Sequence, residues 1–134
     1  QLKFDRRAPC FIHPKALNRQ SLSNPDWIMM AGRLGQDVNA FFKNAHTKHL
    51  ESIPPMPEFW AELAWAAEYE AVVHLDDLLL RRVRIGILIP NAGFDQIDRI
   101  RALVQEPLGW SDTDWEREVT RYEKLWRDHY YLPS

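Results

Sequence analysis

The apolar positions of this chain recur every three or four residues from Trp27 to Tyr130, the period of helices buried along one side. Asn24 suits an N-cap, Pro25 the first helical position and Asp26 the positive end of a helix. A first helix starting there carries Trp27, Met30, Ala31 and Leu34 on one face and stops at Gly35, a natural C-cap. A short second helix begins at Asp37, with Val38, Phe41 and Phe42 apolar. It ends before Ser52-Ile53-Pro54-Pro55-Met56-Pro57, which reads as a proline-rich hinge. From Glu58 to Val73 the spacing of Trp60, Leu63 and Ala67 fits a helix, while Leu63, Trp65 and Ala67 also fit a strand. The richness in Ala and Glu favours the helix. A fourth helix runs from Leu75 to about Ile85 and turns Leu75, Leu78, Leu79, Val83 and Ile85 toward a core.

Ile87-Leu88-Ile89 then leads into a turn at Pro90-Asn91-Ala92-Gly93. A fifth helix from Asp95 to Gln105 has Ile97, Ile100, Leu103 and Val104 on one side and ends at Pro107 and Gly109. The sixth has the clearest start. Ser111 and Asp114 have capping-box spacing, and Trp110 and Trp115 occupy the hydrophobic-staple positions around them. Its stripe of Trp115, Val119, Tyr122, Trp126 and Tyr130 predicts packing onto a core. The pattern as a whole predicts an all-α fold, a compact orthogonal helical domain of about five to seven helices over residues 24–134, with little or no sheet. Residues 1–23 read as a linker or arm: Pro9 and Pro14 interrupt helices, and Phe4, Phe11 and Ile12 follow no period. No internal repeat is present.

Composition supports a real core, with 46% hydrophobic residues and six tryptophans. The formal net charge of -2 lacks the basic excess of a dedicated nucleic-acid binder. A lone Cys10 excludes an intramolecular disulfide and a cysteine zinc site, and a reducing, intracellular setting is expected. No apolar run reaches the roughly 20 residues that span a bilayer, and no signal peptide opens the sequence. A start at Gln1 suggests a processed or excised fragment.

Candidate chemistry is sparse. The five glycines, Gly32, Gly35, Gly86, Gly93 and Gly109, form neither the dinucleotide fingerprint nor a P-loop. His46 and His49 share a helical face, but two histidines read as solvated surface rather than as a metal site. Ser21 and Ser23 lie in no nucleophile motif, and His129 reads as a rim residue. Glu62, Glu68 and Glu70 read as solvated or paired. The densest charge is Asp76-Asp77 followed by Arg81-Arg82 and Arg84. On a continuous helix Asp77, Arg81 and Arg84 share a face, which suits a salt-bridged surface, an anion site or a surface for docking another domain. These three are the candidate site residues; no catalytic, cofactor-binding or metal residue is assigned.

The stretch Ala61-Glu62-Leu63-Ala64-Trp65-Ala66, then Glu70, then Leu75-Asp76-Asp77-Leu78-Leu79-Leu80-Arg81-Arg82-Val83-Arg84 resembles the C-terminal domain of the aerobic, FAD-dependent glycerol-3-phosphate dehydrogenases and oxidases. Arg33-Leu34-Gly35 resembles that family's Arg-Tyr-Gly, and Leu108-Gly109-Trp110 resembles its Leu-Gly-Trp. The similarity covers about residues 27 to 128. Two positions depart from it: Glu68-Tyr69-Glu70 stands where the family has Arg-His-Glu, and His74 stands where it has the Thr that caps the next helix.

The resemblance implies a parent that oxidises sn-glycerol 3-phosphate to dihydroxyacetone phosphate with FAD and passes electrons to a membrane quinone or to oxygen. It implies that flavin and substrate are held upstream, with residues 1–23 as the arm from that flavoprotein domain. This chain then has no cofactor of its own, and its partner is the upstream FAD domain of the same polypeptide. The expected place is the cytoplasm, with the parent at the cytoplasmic membrane. Two other readings remain open here. One is a helix-turn-helix module around Val72-Val73-His74 with Arg81, Arg82 and Arg84 on phosphates; the other is a free-standing protein-interaction domain.

Overall fold

A computed structural model describes residues 24–45 and 49–131. The expectations placed on Phe4, Phe11 and Ile12, on Cys10, Ser21 and Ser23, and on His46 lie outside the described residues. The chain divides into two units at Ala45/His46, and each is described by itself.

In the first unit α1 (Asn24–Leu34) ends where Gly35 takes a left-handed backbone, φ +54°. A single 3-10 turn (Gly35–Asp37) reverses the chain into α2 (Val38–Asn44). Trp27, Met30, Ala31, Val38 and Phe41 are buried, and the Trp27 and Phe42 rings stack with centroids 6.5 Å apart.

The second unit opens with the segment read as a hinge, which is in fact a closed turn. An isolated antiparallel bridge joins Ser52 to Phe59, Ile53 N–H donates to the Glu58 carbonyl at 2.7 Å, and Ile53 and Met56 are buried. It is the only β pairing among the described residues. α3 (Ala61–Tyr69) follows, its start held by Glu62, whose carboxylate accepts from Phe59 N–H at 2.7 Å. It stops four residues short of the expected Val73, because Ala71 adopts φ +52° and the β-branched Val72 and Val73 continue in a non-helical conformation.

The expected fourth helix is divided. Asp77–Arg82 is π-helical, and Val83 N–H reaches back five residues to the Leu78 carbonyl at 2.9 Å. The wider turn lets three consecutive leucines, Leu78, Leu79 and Leu80, all be buried. Arg84 then takes a left-handed backbone (φ +63°), and a separate short α4 (Ile85–Leu88) begins.

A 3-10 stretch (Pro90–Gln96) follows, in which Asn91, Ala92 and Gly93 are all left-handed; α5 (Ile97–Val104) and α6 (Asp112–His129) complete the unit. The Ser111–Asp114 capping box forms in both directions at 3.1 Å, and the Trp110 and Trp115 rings stand 6.3 Å apart.

The core gathers Trp60, Leu63, Leu75, Leu78, Leu79, Ile85, Ile100, Val104, Trp115 and Tyr122. Along the α6 stripe Trp115 and Tyr122 are buried, Val119 and Trp126 are half-buried and Tyr130 is exposed. Tyr122 reaches past Gly86 to donate to the Ala92 carbonyl at 2.9 Å, and Trp126 Nε1 donates to the Gly86 carbonyl at 3.2 Å. These two bonds tie α6 to α4 and to the left-handed turn. The all-α expectation holds, with six α-helices among the described residues.

Candidate functional site

The charged cluster of the sequence becomes a network between the Val73–Arg82 segment and α6. Asp77 accepts from the backbone N–H groups of His74 (3.0 Å) and Val73 (3.3 Å). This is the returning half of a capping box; the forward half, which a Thr at position 74 would supply, is not made by His74. Asp77 N–H instead donates to the His74 carbonyl at 3.0 Å, and a carboxylate from α6 takes up a further amide of this first turn. Glu118 accepts from Leu75 N–H at 3.3 Å, and its two oxygens lie 3.1 and 3.2 Å from His74 Nδ1.

Behind this contact stands Asp76, only 1% exposed, beside Glu118 at 4%. Two buried carboxylates need partners, because an unpaired buried charge costs several kcal/mol. Arg121 of α6 hydrogen-bonds Asp76 and lies 4.0 Å from Glu118. Arg81 bonds Asp77 and approaches Asp76 at 3.5 Å. Arg82 Nε is 3.9 Å from Glu70.

The electrostatics follow from these contacts. Burial pushes the Asp77 carboxyl up, but the His74 and Val73 N–H groups and the Arg81 guanidinium outweigh it and hold its pKa below 3.8. The hydrogen bond to Asp76 holds Arg121 above its ordinary value, with the charges of Asp76, Glu118 and Asp77 adding to it against burial. Burial, then the charges of Asp76 and Tyr130, push the neighbouring Tyr122 hydroxyl up.

The geometry separates the three candidate residues. Asp77 and Arg81 meet as an i,i+4 pair. Arg84 lies beyond the π-helical turn, and its own left-handed backbone interrupts the continuous helix on which the three were expected to share a face. It is exposed at the head of α4, and its side chain makes no ion pair with a described residue. Asp76, Glu118, Arg121 and His74 belong to the network but not to the three candidates. A signal for Glu118 was present: it stands three residues after Trp115 and four before Tyr122, so helical spacing places it on the buried stripe.

Each charged group of the network faces another member, so the arrangement works as a clamp. It joins the N-terminal end of the π-helical segment to α6. A concavity of about 330 Å³ lies elsewhere, with Ile53, Trp60 and Ile89 in its wall. Arg99 sits over the Trp60 ring at 4.1 Å and bonds Glu51 at 2.7 Å, closing one side of it. Among the described residues no group of three His, Cys, Asp or Glu can hold a metal ion, and no helix is long and apolar enough to cross a membrane. The described residues contain no strand leading through a glycine turn into a helix, the element on which a dinucleotide's pyrophosphate rests.

Glycerol-3-phosphate dehydrogenase 2 of Mycobacterium tuberculosis and of Mycobacterium bovis are each 43% identical over 61 residues, which is 46% of this chain and 10% of theirs. Glycerol-3-phosphate dehydrogenase of Mycobacterium leprae is 36% identical over 61 residues, again 46% of this chain and 10% of its own length. The match thus spans a tenth of the length of these curated relatives. No solved structure matches. Residues 13–115, well over half of the sequence, match the family described as the C-terminal domain of alpha-glycerophosphate oxidase, and the chain belongs to that family.

Proposed function

We propose that this chain is the bracing C-terminal domain of an FAD-dependent glycerol-3-phosphate dehydrogenase and takes no direct part in its chemistry. The parent oxidises sn-glycerol 3-phosphate to dihydroxyacetone phosphate in the cytoplasm, at the cytoplasmic membrane, and hands electrons to a quinone or to oxygen. The observation that carries this reading is the family match over residues 13–115, joined to relatives that bear the dehydrogenase name. Flavin chemistry needs a protein frame around the ring and pyrophosphate, and that frame belongs to the upstream part.

The helix-turn-helix alternative is not favoured. Arg81 and Arg82 face Asp76, Asp77 and Glu70, so their charge is already answered. The docking role proposed for Asp77, Arg81 and Arg84 divides along the same line. Asp77 and Arg81 stiffen the domain from within, and Arg84 reaches the upstream part.

Full-length enzyme tests the reading by anaerobic addition of sn-glycerol 3-phosphate, which bleaches the bound flavin if the parent's class is right. An unbleached flavin contradicts it. In the same enzyme Arg81→Ala or Arg84→Ala lowers flavin retention more than it raises KM. A large rise in KM with an unchanged Tm means that these arginines bind substrate phosphate.

A further inference from the structure

We infer that the surface formed by α4 and the C-terminal turn of α6 is the face by which this domain docks onto the upstream part of its own polypeptide. Ile87, Leu88, Tyr130 and Tyr131 are between 44% and 56% exposed. They lie together. Trp126 bonds the Gly86 carbonyl next to Ile87, and its ring meets Tyr131 with centroids 5.8 Å apart. A concavity of about 410 Å³ opens between Trp126, Arg127 and Tyr131. Arg84 stands three and four residues before Ile87 and Leu88 at the head of the same short helix, and its carbonyl accepts from both their N–H groups. An aromatic and aliphatic centre with an arginine at its edge has the composition of a protein interface.

Two arguments choose the occupant. The first is length. This inference rests on the bracing reading above, in which the matched segment is a tenth of a longer protein. A tethered neighbour is present at an effective concentration on the order of millimolar, so a patch of a few side chains suffices. A separate partner or a second copy needs roughly 800 Å² on each side. The second argument is charge. Arg127 is paired with Glu123 at 2.6 Å and Lys124 with Asp128 at 2.5 Å, which among the described residues leaves Arg84 as a single unpaired cation at the edge rather than a cluster. An anionic bilayer is drawn by unpaired basic clusters, and the rim offers none.

The test uses full-length enzyme carrying Leu88→Ser with Tyr131→Ser, full-length enzyme truncated before this domain, and this chain with the same double substitution. The expected result is a fall in the flavin-release temperature of the double variant that approaches the fall on truncation, with the melting temperature of this chain unchanged. A fall on truncation but none in the double variant overturns the assignment of this face and leaves the bracing reading intact. No fall on truncation overturns the bracing reading itself. Two further outcomes overturn the choice of occupant. One is self-association of this chain that the double substitution abolishes. The other is binding of the full-length enzyme to phosphatidylglycerol vesicles that the substitutions abolish while flavin release stays unchanged.

Discussion

At the scale of single residues the structure turns on a few close contacts. A Cβ added to Gly86 falls 2.0 Å from the Tyr122 hydroxyl oxygen and 2.8 Å from Leu80 Cδ2. Tyr122 cannot retreat, because it is buried and bonded to Ala92. Gly86→Ala is therefore predicted to cost about 1–3 kcal/mol in urea unfolding by overpacking. Adding Tyr122→Phe removes the clashing oxygen, so the double variant falls short of the sum of the two losses. A strictly additive pair contradicts the contact. Glu118 carries a second prediction. Glu118→Ala strands Leu75 N–H and weakens the hold on Arg121, a loss of about 1–3 kcal/mol. Acid acts on the same cluster through Asp77. Its folded-state pKa is depressed, so its contribution to stability is complete above the unfolded value near 3.8 and disappears as pH falls through the lower folded value. Asp77→Asn flattens the pH dependence of stability in that acid window; an unchanged slope shows that the pairing with Arg81 and the backbone adds nothing.

At the scale of elements the side-chain pattern was a good guide to faces and a poor one to backbone register. The α6 start was legible because a capping box is a local device: Ser111, Asp114 and the flanking tryptophans sit within one turn of each other. The burial of Leu75, Leu78, Leu79, Val83 and Ile85 was legible from spacing alone. The π-helical turn was not, since Leu78-Leu79-Leu80 reads the same whether the ladder closes at four residues or five. Nor was the clamp, because its halves meet only when α6 folds back over His74. The tripeptides that carried part of the family resemblance have a backbone explanation. Gly35 and Gly109 both adopt left-handed conformations, at φ +54° and +66°, where a helix has just ended. Arg84 shares that backbone without being glycine, a strain of roughly 1–2 kcal/mol. Arg84→Gly is predicted to leave this chain as stable as before or more so, and to weaken its hold on the upstream part. A marked loss of stability in the isolated chain contradicts the assignment of Arg84 to an external contact.

At the scale of the whole molecule the described residues pair the buried carboxylates of Asp76 and Glu118 with arginines and leave Ile87, Leu88, Tyr130 and Tyr131 exposed. The Asp76–Glu118–Arg121 clamp and the Tyr122 and Trp126 bonds tie α6 to the π-helical segment, to α4 and to the left-handed turn. The claim that the domain braces a flavoenzyme without touching substrate is tested most directly on intact and domain-truncated full-length enzyme. Flavin-release temperature and KM for sn-glycerol 3-phosphate are measured on the same preparations, with rates expressed per bound flavin. The predicted result is a lower release temperature in the truncated enzyme with KM unchanged in the fraction that keeps its flavin. A raised KM with the release temperature unaltered contradicts the account and places this domain at the substrate.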